Sequence, residues 1–374
     1  MKFNNKWTYG LVAVGAVSLA SAARAEEHAL NTLLSSTTIS GWVDVSAQLM
    51  NGNQNNNPPF VPAGSGIAAG QIDGFSLNSV GISLDKPLDE SAWASGYHID
   101  FNLNGGGASV DSSVVGIGQS IRQAYVALRT PVGNGIDWKF GVWDTIIGYE
   151  SATPYANPNF TRSIGWQHEA TTFTGLLGTY KVADFLTFNA GIANASNGYN
   201  QFSPKNPGVS TKNFLGSAVL TAPESFGAFK GATLTLGTIQ VLQSGGINSY
   251  YAGLTIPTPI KALAFGLAFD ALQDLGDQAG GNEYVYGVYA TYQATDKLGF
   301  ALRAEYHDDM LNNGGSGNFN SEEITGTISY NLWANVVSRL EVRWDHSENF
   351  NTTGFGLHPY DDALMVALNV IYKF

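Results

Sequence analysis

Charged side chains recur at every second position near the carboxyl end of the chain. In residues 337–347 the charged set shares one parity and apolar residues fall between its members: Arg339, Glu341, Arg343 and Asp345. Successive side chains of a β-strand point to opposite faces, so this set would line one face of a strand. Fixed charges can set ion preference where they face a water-filled passage. They can equally form a mutually neutralising network that only stiffens a wall, and the sequence leaves both interpretations open.

A second stretch repeats the pattern. In residues 298–308 three polar side chains share one parity: Arg303, Glu305 and His307. The stretch between these two, residues 322–331, carries uncharged polar groups on the corresponding parity: Thr325, Thr327, Ser329 and Asn331. Three neighbouring strands of this kind would place their polar faces side by side. The sequence therefore predicts a charged wall that faces an aqueous interior.

The sequence contains none of the short motifs that mark common catalytic sites. There is no G-x-S-x-G, no H-E-x-x-H and no complete G-x-x-x-x-G-K-[ST]. The six histidines are scattered, and the two that adjoin acidic residues, His307 and His358, are interpreted as solvated groups. We predict no catalytic, cofactor-binding or metal-binding residues and no enzyme activity. A histidine–serine pair of a barrel hydrolase has no local spacing, so that alternative stays open.

Apolar and polar residues alternate along most of the chain. The alternating segments number about sixteen and are each about ten residues long, as expected for tilted strands that cross a membrane. The last segment, residues 362–374, has the clearest apolar stripe: Val366, Leu368, Val370, Tyr372 and Phe374. A terminal aromatic residue after such a stripe is typical of the assembly signal of bacterial outer-membrane barrels. We therefore expect the barrel-assembly machinery to bind the Phe374 end.

Tyrosine and tryptophan recur towards the ends of these segments or on their apolar parity, as at Tyr125 and Tyr372. Amphipathic rings are favoured at the boundary between water and lipid. We expect these rings to form the aromatic girdles of a membrane barrel.

The connections between the segments alternate in length. Residues 50–74, 104–119, 147–169 and 196–211 are long, whereas residues 87–92, 130–135 and 181–184 are short. Outer-membrane barrels keep long loops on the extracellular rim and tight turns on the periplasmic rim. The fold predicted is all-β: a closed antiparallel transmembrane β-barrel of about 16 strands, with long extracellular loops and short periplasmic turns.

The amino terminus is typical of a cleaved secretory signal. Lys2 and Lys6 precede an apolar run, and a small-x-small site ends at Ala25. We predict a signal peptide over residues 1–25 and a barrel over residues 26–374, with a periplasmic lead-in over residues 26–38. Removing the signal leaves 15 basic residues against 30 acidic ones, and this excess of acids predicts a mild cation preference.

The composition agrees with a barrel whose outer face meets lipid. Charged residues make up only 13% of the chain, against about 25% in soluble domains, and the chain has 44 Gly, 17 Tyr and 20 Phe. The absence of cysteine excludes a disulfide scaffold. No basic tract is present, so nucleic acid is excluded as a partner.

Several segments resemble the OmpL-like β-barrel porin family across essentially the whole mature chain. The most specific is Gly148-Tyr149-Glu150, followed by Pro154 and by residues 157–163, Asn-Pro-Asn-Phe-Thr-Arg-Ser. The opening residues 39–44, Ile-Ser-Gly-Trp-Val-Asp, and the strand start at residues 75–78 share the likeness. The resemblance implies a barrel in the outer membrane of a Gram-negative-type envelope, with a pore function and no assigned solute.

In general porins the third long loop folds inward and narrows the channel, and the resemblance suggests the same for residues 147–169. An ordinary external loop is the other interpretation. If the loop folds inward, the pore-constriction candidates are Asp144, Glu150, Arg162 and Glu169. Arg122 and the wall residues Arg339 and Arg343 would then face them.

The function expected is a passive channel for diffusion of small hydrophilic solutes or ions, in contact with membrane lipids. The runner-up is a structural or adhesive barrel whose lumen is plugged, and a barrel hydrolase is a more distant alternative. The sequence leaves the oligomeric state open, with a homotrimer as one candidate assembly.

Overall fold

The computed structural model describes residues 36–51, 74–104, 121–194, 212–242, 246–260, 262–274, 281–310, 319–348 and 362–374. The predicted signal peptide, most of the lead-in and the centres of several long connections lie outside these ranges. Strand β1 begins at Thr38, the last residue of the predicted lead-in. Within the described ranges, no helix has the length and apolar character needed to cross a membrane.

Sixteen strands alternate in direction through the described residues. They are β1 Thr38–Asn51, β2 Gly74–Lys86, β3 Ser95–Asn104, β4 Ile121–Thr130, β5 Ile136–Asp144, β6 Thr172–Ala183, β7 Leu186–Asn194, β8 Lys212–Thr221, β9 Thr233–Val241, β10 Ile247–Pro257, β11 Leu263–Asp274, β12 Asn282–Gln293, β13 Leu298–Asp309, β14 Phe319–Trp333, β15 Val336–Glu348 and β16 Asp362–Lys373. Each strand pairs with its sequence neighbours, and β1 also pairs with β16, so the sheet closes into a barrel. The predicted fold class and strand number are confirmed.

The closing pair joins the two ends of the chain. The register sets Trp42 opposite Lys373, and the backbones of Gly41 and Phe374 exchange two hydrogen bonds of 2.9 and 3.0 Å. The Phe374 ring lies over Gly41, where any Cβ would be about 2.5 Å from the ring. Closure pairs the backbone N–H and C=O groups that the edge strands of an open sheet would expose to lipid.

Burial along the strands is the reverse of a soluble sheet. On β15 the charged side chains of Arg339, Glu341 and Arg343 are buried, whereas Leu340 and Val342 are nearly half exposed on the outer face. An apolar outer face meets hydrocarbon, and a polar inner face meets the interior. Tyr125 was predicted to lie in an aromatic girdle on the outer face, and this prediction is wrong. The ring faces the interior, where it stacks on His98 and lies under the Lys139 ammonium.

The connections at the two ends of the barrel differ, as the sequence predicts. At one rim the turns are as short as residues 184–185 and 334–335, and the carboxyl terminus lies at this short-turn rim. The other rim carries the long connections, including residues 145–171 between β5 and β6. That connection contains a 3₁₀ turn, Pro154–Ala156, and the five-residue helix α1, Ile164–His168.

Candidate functional site

The connection between β5 and β6, residues 145–171, lies within the lumen, and we refer to it as the inward loop. Its backbone and side chains form hydrogen bonds with inward-facing residues of β13, β14 and β15. Helix α1 lies against β11, β12 and β13. The inward loop therefore covers the charged wall that the sequence predicts on these strands.

Glu341 holds the tip of the inward loop. Its carboxylate accepts the backbone N–H groups of Phe160 at 2.5 Å and Thr161 at 2.8 Å. It also accepts the hydroxyl of Thr327 at 2.7 Å, and that hydroxyl oxygen accepts the Asn159 amide at 2.7 Å. Hydrogen bonds to an ionised acceptor are the stronger kind. The charge of Glu341 is thus directed at loop backbone.

Arg303 is the most extensively bonded side chain of the wall and is fully buried. Its guanidinium pairs with Glu323 on β14 and with Glu150 of the loop, at 2.8 and 2.7 Å. The same group donates to the carbonyl and hydroxyl oxygens of Thr161, at 2.8 and 3.0 Å. A planar guanidinium presents five donors in a fixed arrangement, which suits one group that must join two strands and a loop.

Other wall residues bind the loop in the same way. Arg343 donates to the carbonyl of Arg162 at 2.6 Å and pairs with Asp345, and Arg339 donates to the carbonyl of Asn157 at 2.5 Å. The Glu305 carboxylate accepts the N–H groups of Ile164 and Gly165 at the start of α1. The wall therefore binds loop backbone from Asn157 to Gly165.

The local sequence of the loop explains its shape. Gly148 has φ +106°, and a Cβ there would meet the Glu169 carboxylate, so the turn requires glycine. Tyr149 stacks on Tyr289 with ring centroids 4.0 Å apart. The Asn157 side chain bonds the N–H and carbonyl of Ser151, at 2.8 and 2.7 Å, which closes the loop tip on itself.

Arg162 is buried at the loop tip and keeps its charge. Its side chain lies over the Trp166 ring, 5.0 Å from the centroid, and donates to the Ala152 carbonyl at 3.0 Å. Burial lowers the pKa of Arg162 to about 10, against the opposing attraction of Glu150. At neutral pH the group is still a cation, so it contributes a fixed positive charge beside the wall.

Two of the four constriction candidates lie away from the Arg339/Arg343 wall. Asp144 ends β5 and pairs with Arg122 at 2.7 Å, and Arg122 also binds Asp100 on β3. Glu169 lies against the Asp270 carboxyl; burial and that neighbour raise the pKa of Glu169 well above its usual value. Glu150 and Arg162 are the candidates that the structure brings to the wall. Arg122 belongs to a separate cluster on β3–β5.

The opposite part of the lumen is apolar. A buried cluster of side chains from β5, β6, β8, β9 and β10 packs the start of the inward loop: Trp143, Ile147, Phe173, Leu177, Leu215, Ile239 and Tyr251. Inward apolar residues of this kind do not follow from simple parity, which predicts polar groups there. The loop is therefore fixed by apolar packing at its start and by ionic and hydrogen bonds at its tip.

Sequence reasoning missed several inward acids of the described strands. Glu323 shares the inward parity of Thr325 and receives Arg303, and Asp270 and Glu283 face inward on β11 and β12. Parity would have identified all three. Their partners could not be identified, because each lies on another strand or on the loop.

Open volume remains at the short-turn end of the lumen. A cavity of about 400 Å³ lies between the loop tip and β12–β16. Its lining combines loop residues with side chains from the ends of strands, among them Tyr155, Asn157, Gln293, Ser329, Arg339 and Lys373. We refer to it as the vestibule. Its two cationic groups are Arg339 and Lys373, and the Lys373 ammonium lies over the Tyr155 ring.

A closed sixteen-strand barrel with an apolar outer face, a polar inner wall and a loop inside the lumen defines a porin-type channel of the bacterial outer membrane. The chain belongs to the family described as "Putative beta-barrel porin-2, OmpL-like", whose model matches residues 36–374. This membership confirms the resemblance inferred from the sequence. In barrels of this class the short-turn rim faces the periplasm.

Solved structures share the fold at low sequence identity. The anion-selective porin from Comamonas acidovorans is 12% identical, with a TM-score of 0.59 over 91% of this chain and 99% of its own. The outer membrane channel DcaP of Acinetobacter baumannii is 12% identical, with a TM-score of 0.57 over 90% and 97%. The trimer form of OmpT from Vibrio cholerae is 12% identical, with a TM-score of 0.58 over 91% and 100%. No curated protein sequence matches the chain significantly.

Proposed function

We propose that the protein is a non-enzymatic porin through which small hydrophilic solutes or ions diffuse passively. The observation that carries the proposal is the inward loop, which divides the lumen between a charged wall and an apolar cluster and leaves the vestibule open at the periplasmic end. Transport would need no covalent step. Solutes would be selected by the width of the passage and by the fixed charges that face it.

The charged groups that a solute would meet in the lumen differ from the charged residues counted over the whole chain. Glu305, Glu323 and Glu341 are directed at loop amides or at Arg303. The charged groups that line the vestibule are Arg339, which is buried and donates to the Asn157 carbonyl, and the partly exposed Lys373. We therefore expect the vestibule to favour anionic solutes, and the acid excess of the whole chain to be a poor guide to selectivity.

The first test is single-channel recording of the folded mature protein in planar bilayers under a salt gradient. An open channel gives discrete current steps. Lys373→Gln should then move the reversal potential towards that of a more cation-permeable channel, because one vestibule cation is removed. Lys181→Gln, which alters an exposed lysine near the end of β6 that pairs with Asp184, is the matched control and should leave the reversal potential unchanged.

A plugged structural barrel is the second candidate, and the burial of the wall favours it. Arg303, Arg343, Glu323 and Glu341 are fully buried beneath the inward loop. A plugged barrel predicts no current steps from protein that migrates as a folded, heat-modifiable band on a gel. Silence from such protein would refute the diffusion proposal and leave the plugged barrel.

The oligomeric state can be proposed from a solved structure of the same fold. The trimer form of the OmpT neighbour supports a homotrimer for this chain.

The hydrolase alternative requires a histidine beside a serine, and His307 Nδ1 lies 3.3 Å from the Ser321 hydroxyl. Because both side chains are buried inside the barrel, we propose a structural role for this pair. Ester cleavage that Ser321→Ala abolishes would contradict that assignment.

A further inference from the structure

Three metal-ligating side chains meet near the extracellular end of the lumen. His168 is the last residue of α1, Glu283 lies at the start of β12, and His307 lies near the end of β13. One ligand atom from each falls within 4.8 Å of the other two. His168 Nε2 is 3.1 Å and His307 Nε2 is 3.9 Å from the same Glu283 oxygen.

The second nitrogen of each ring is already held. His168 Nδ1 lies 2.9 Å from the Ile164 carbonyl oxygen, which can only accept, so this nitrogen carries the proton. His307 Nδ1 lies 3.3 Å from the Ser321 hydroxyl. Metal-binding histidines characteristically donate their other N–H to a carbonyl, a carboxylate or water, which fixes the ring and directs the ligating nitrogen at the metal.

The geometry between His168 and Glu283 is satisfied by a cation, either a second proton on the His168 ring or a bound metal ion. With its proton on Nδ1, a neutral His168 directs the lone pair of Nε2 at a carboxylate oxygen 3.1 Å away, and two lone pairs repel. A divalent metal between the three groups satisfies them all. Two ligands at zinc distances of about 2.0–2.1 Å are about 3.4 Å apart in a tetrahedral site, so small side-chain movements complete it.

We propose that His168, Glu283 and His307 form a binding site for a divalent transition metal of the Zn²⁺ class. Two imidazoles and one carboxylate are a ligand set that zinc accepts, with a fourth position left for water. The site would join the end of the inward loop to β12 and β13. It would thereby fix the second half of the loop at the extracellular mouth, as Glu341 fixes its tip at mid-lumen.

The test is calorimetric titration of ZnCl₂ into the folded, chelator-treated full-length mature protein, without a polyhistidine tag, in detergent at neutral pH. We expect one tight site per chain. Glu283→Gln and His307→Gln should each weaken binding by at least the roughly 10–100-fold that loss of an outer-shell partner costs. His346→Gln is the matched control, because His346 pairs with Asp362 outside this cluster.

Ser321→Ala provides a variant that keeps all three ligands. It should weaken Zn²⁺ binding about 10–100-fold through loss of the bond to His307 Nδ1. Folding of every variant is checked by heat-modifiable gel migration. Absence of Zn²⁺ binding by the wild-type protein, or binding that Glu283→Gln and His307→Gln leave intact, would overturn the proposal. Neither result depends on whether the channel conducts.

Discussion

At the scale of single residues, the wall charges act on the protein itself. Arg303 and Glu341 are buried and bonded to the inward loop, so their desolvation is offset only by the groups they bind. Removing one partner of such a set leaves an uncompensated buried charge, which is far more costly than losing an exposed ion pair. Their role is to position the loop.

Arg303→Met should therefore destabilise the barrel strongly. The substitution preserves much of the side-chain length but leaves the Glu323 and Glu150 carboxylates without their guanidinium. We expect a loss of about 3–5 kcal/mol in the free energy of unfolding, measured by urea denaturation in lipid vesicles.

Arg129→Met is the control for that experiment. Arg129 pairs with Asp137 at 2.6 Å beside a periplasmic turn, where both groups are partly exposed. Its loss should cost about 0–1 kcal/mol. Equal effects of the two substitutions would show that the Arg303 network contributes nothing beyond an ordinary surface pair.

At the scale of elements, the inward loop is built from the residues that resemble the OmpL-like family. Gly148 supplies the left-handed turn, Asn157 closes the tip on Ser151, and Asn159 reaches Thr327 on β14. Each contributes to placing the loop against the wall. The segment is therefore best understood as a structural unit that defines the shape of the lumen.

A chemical cross-link tests the loop position directly, because the chain has no cysteine. Asn159→Cys with Thr327→Cys should be joined by a short bis-methanethiosulfonate reagent, since the native side chains are 2.7 Å apart. The product would migrate differently on a denaturing gel. Asn159→Cys with Ile328→Cys is the control, because Ile328 faces outward on the same strand. Absence of the Asn159–Thr327 cross-link, or equal cross-linking of both pairs, would contradict this position of the loop.

The sequence predicts the elements better than it predicts the site. Strict alternation on β15 and β16 identifies both the strands and their inward faces, because side-chain period alone determines them. Which acid receives Arg303 depends instead on the register between β13 and β14 and on where the loop lies. Alternation also fails at Leu177 and Leu215, which point inward because the start of the loop supplies apolar contacts there.

At the scale of the whole molecule, the β1–β16 pairing, which we call the seam, is crowded at Gly41. The Phe374 ring and the Gly81 carbonyl oxygen of β2 occupy the space over Gly41, so Gly41→Val would displace the ring, β2 or both. We expect a lower yield of folded, heat-modifiable barrel in outer-membrane fractions. Gly326→Val is the matched control, since a Cβ there meets no neighbouring atom, and it should fold normally. Equal yields would show that the seam tolerates displacement of the ring. Recognition of the Phe374 end by the assembly machinery stays a prediction.

The pairing of β1 with β16 also determines when the barrel can close during synthesis. The Asn369 amide donates to Asp44 across 325 residues of chain, and the last strand is made last. Until then every growing chain carries two unpaired strand edges, which are templates for aggregation. Contacts between such distant residues form slowly. The growing protein is therefore open to such pairing until β16 is available, and the barrel closes only when β1 pairs with β16.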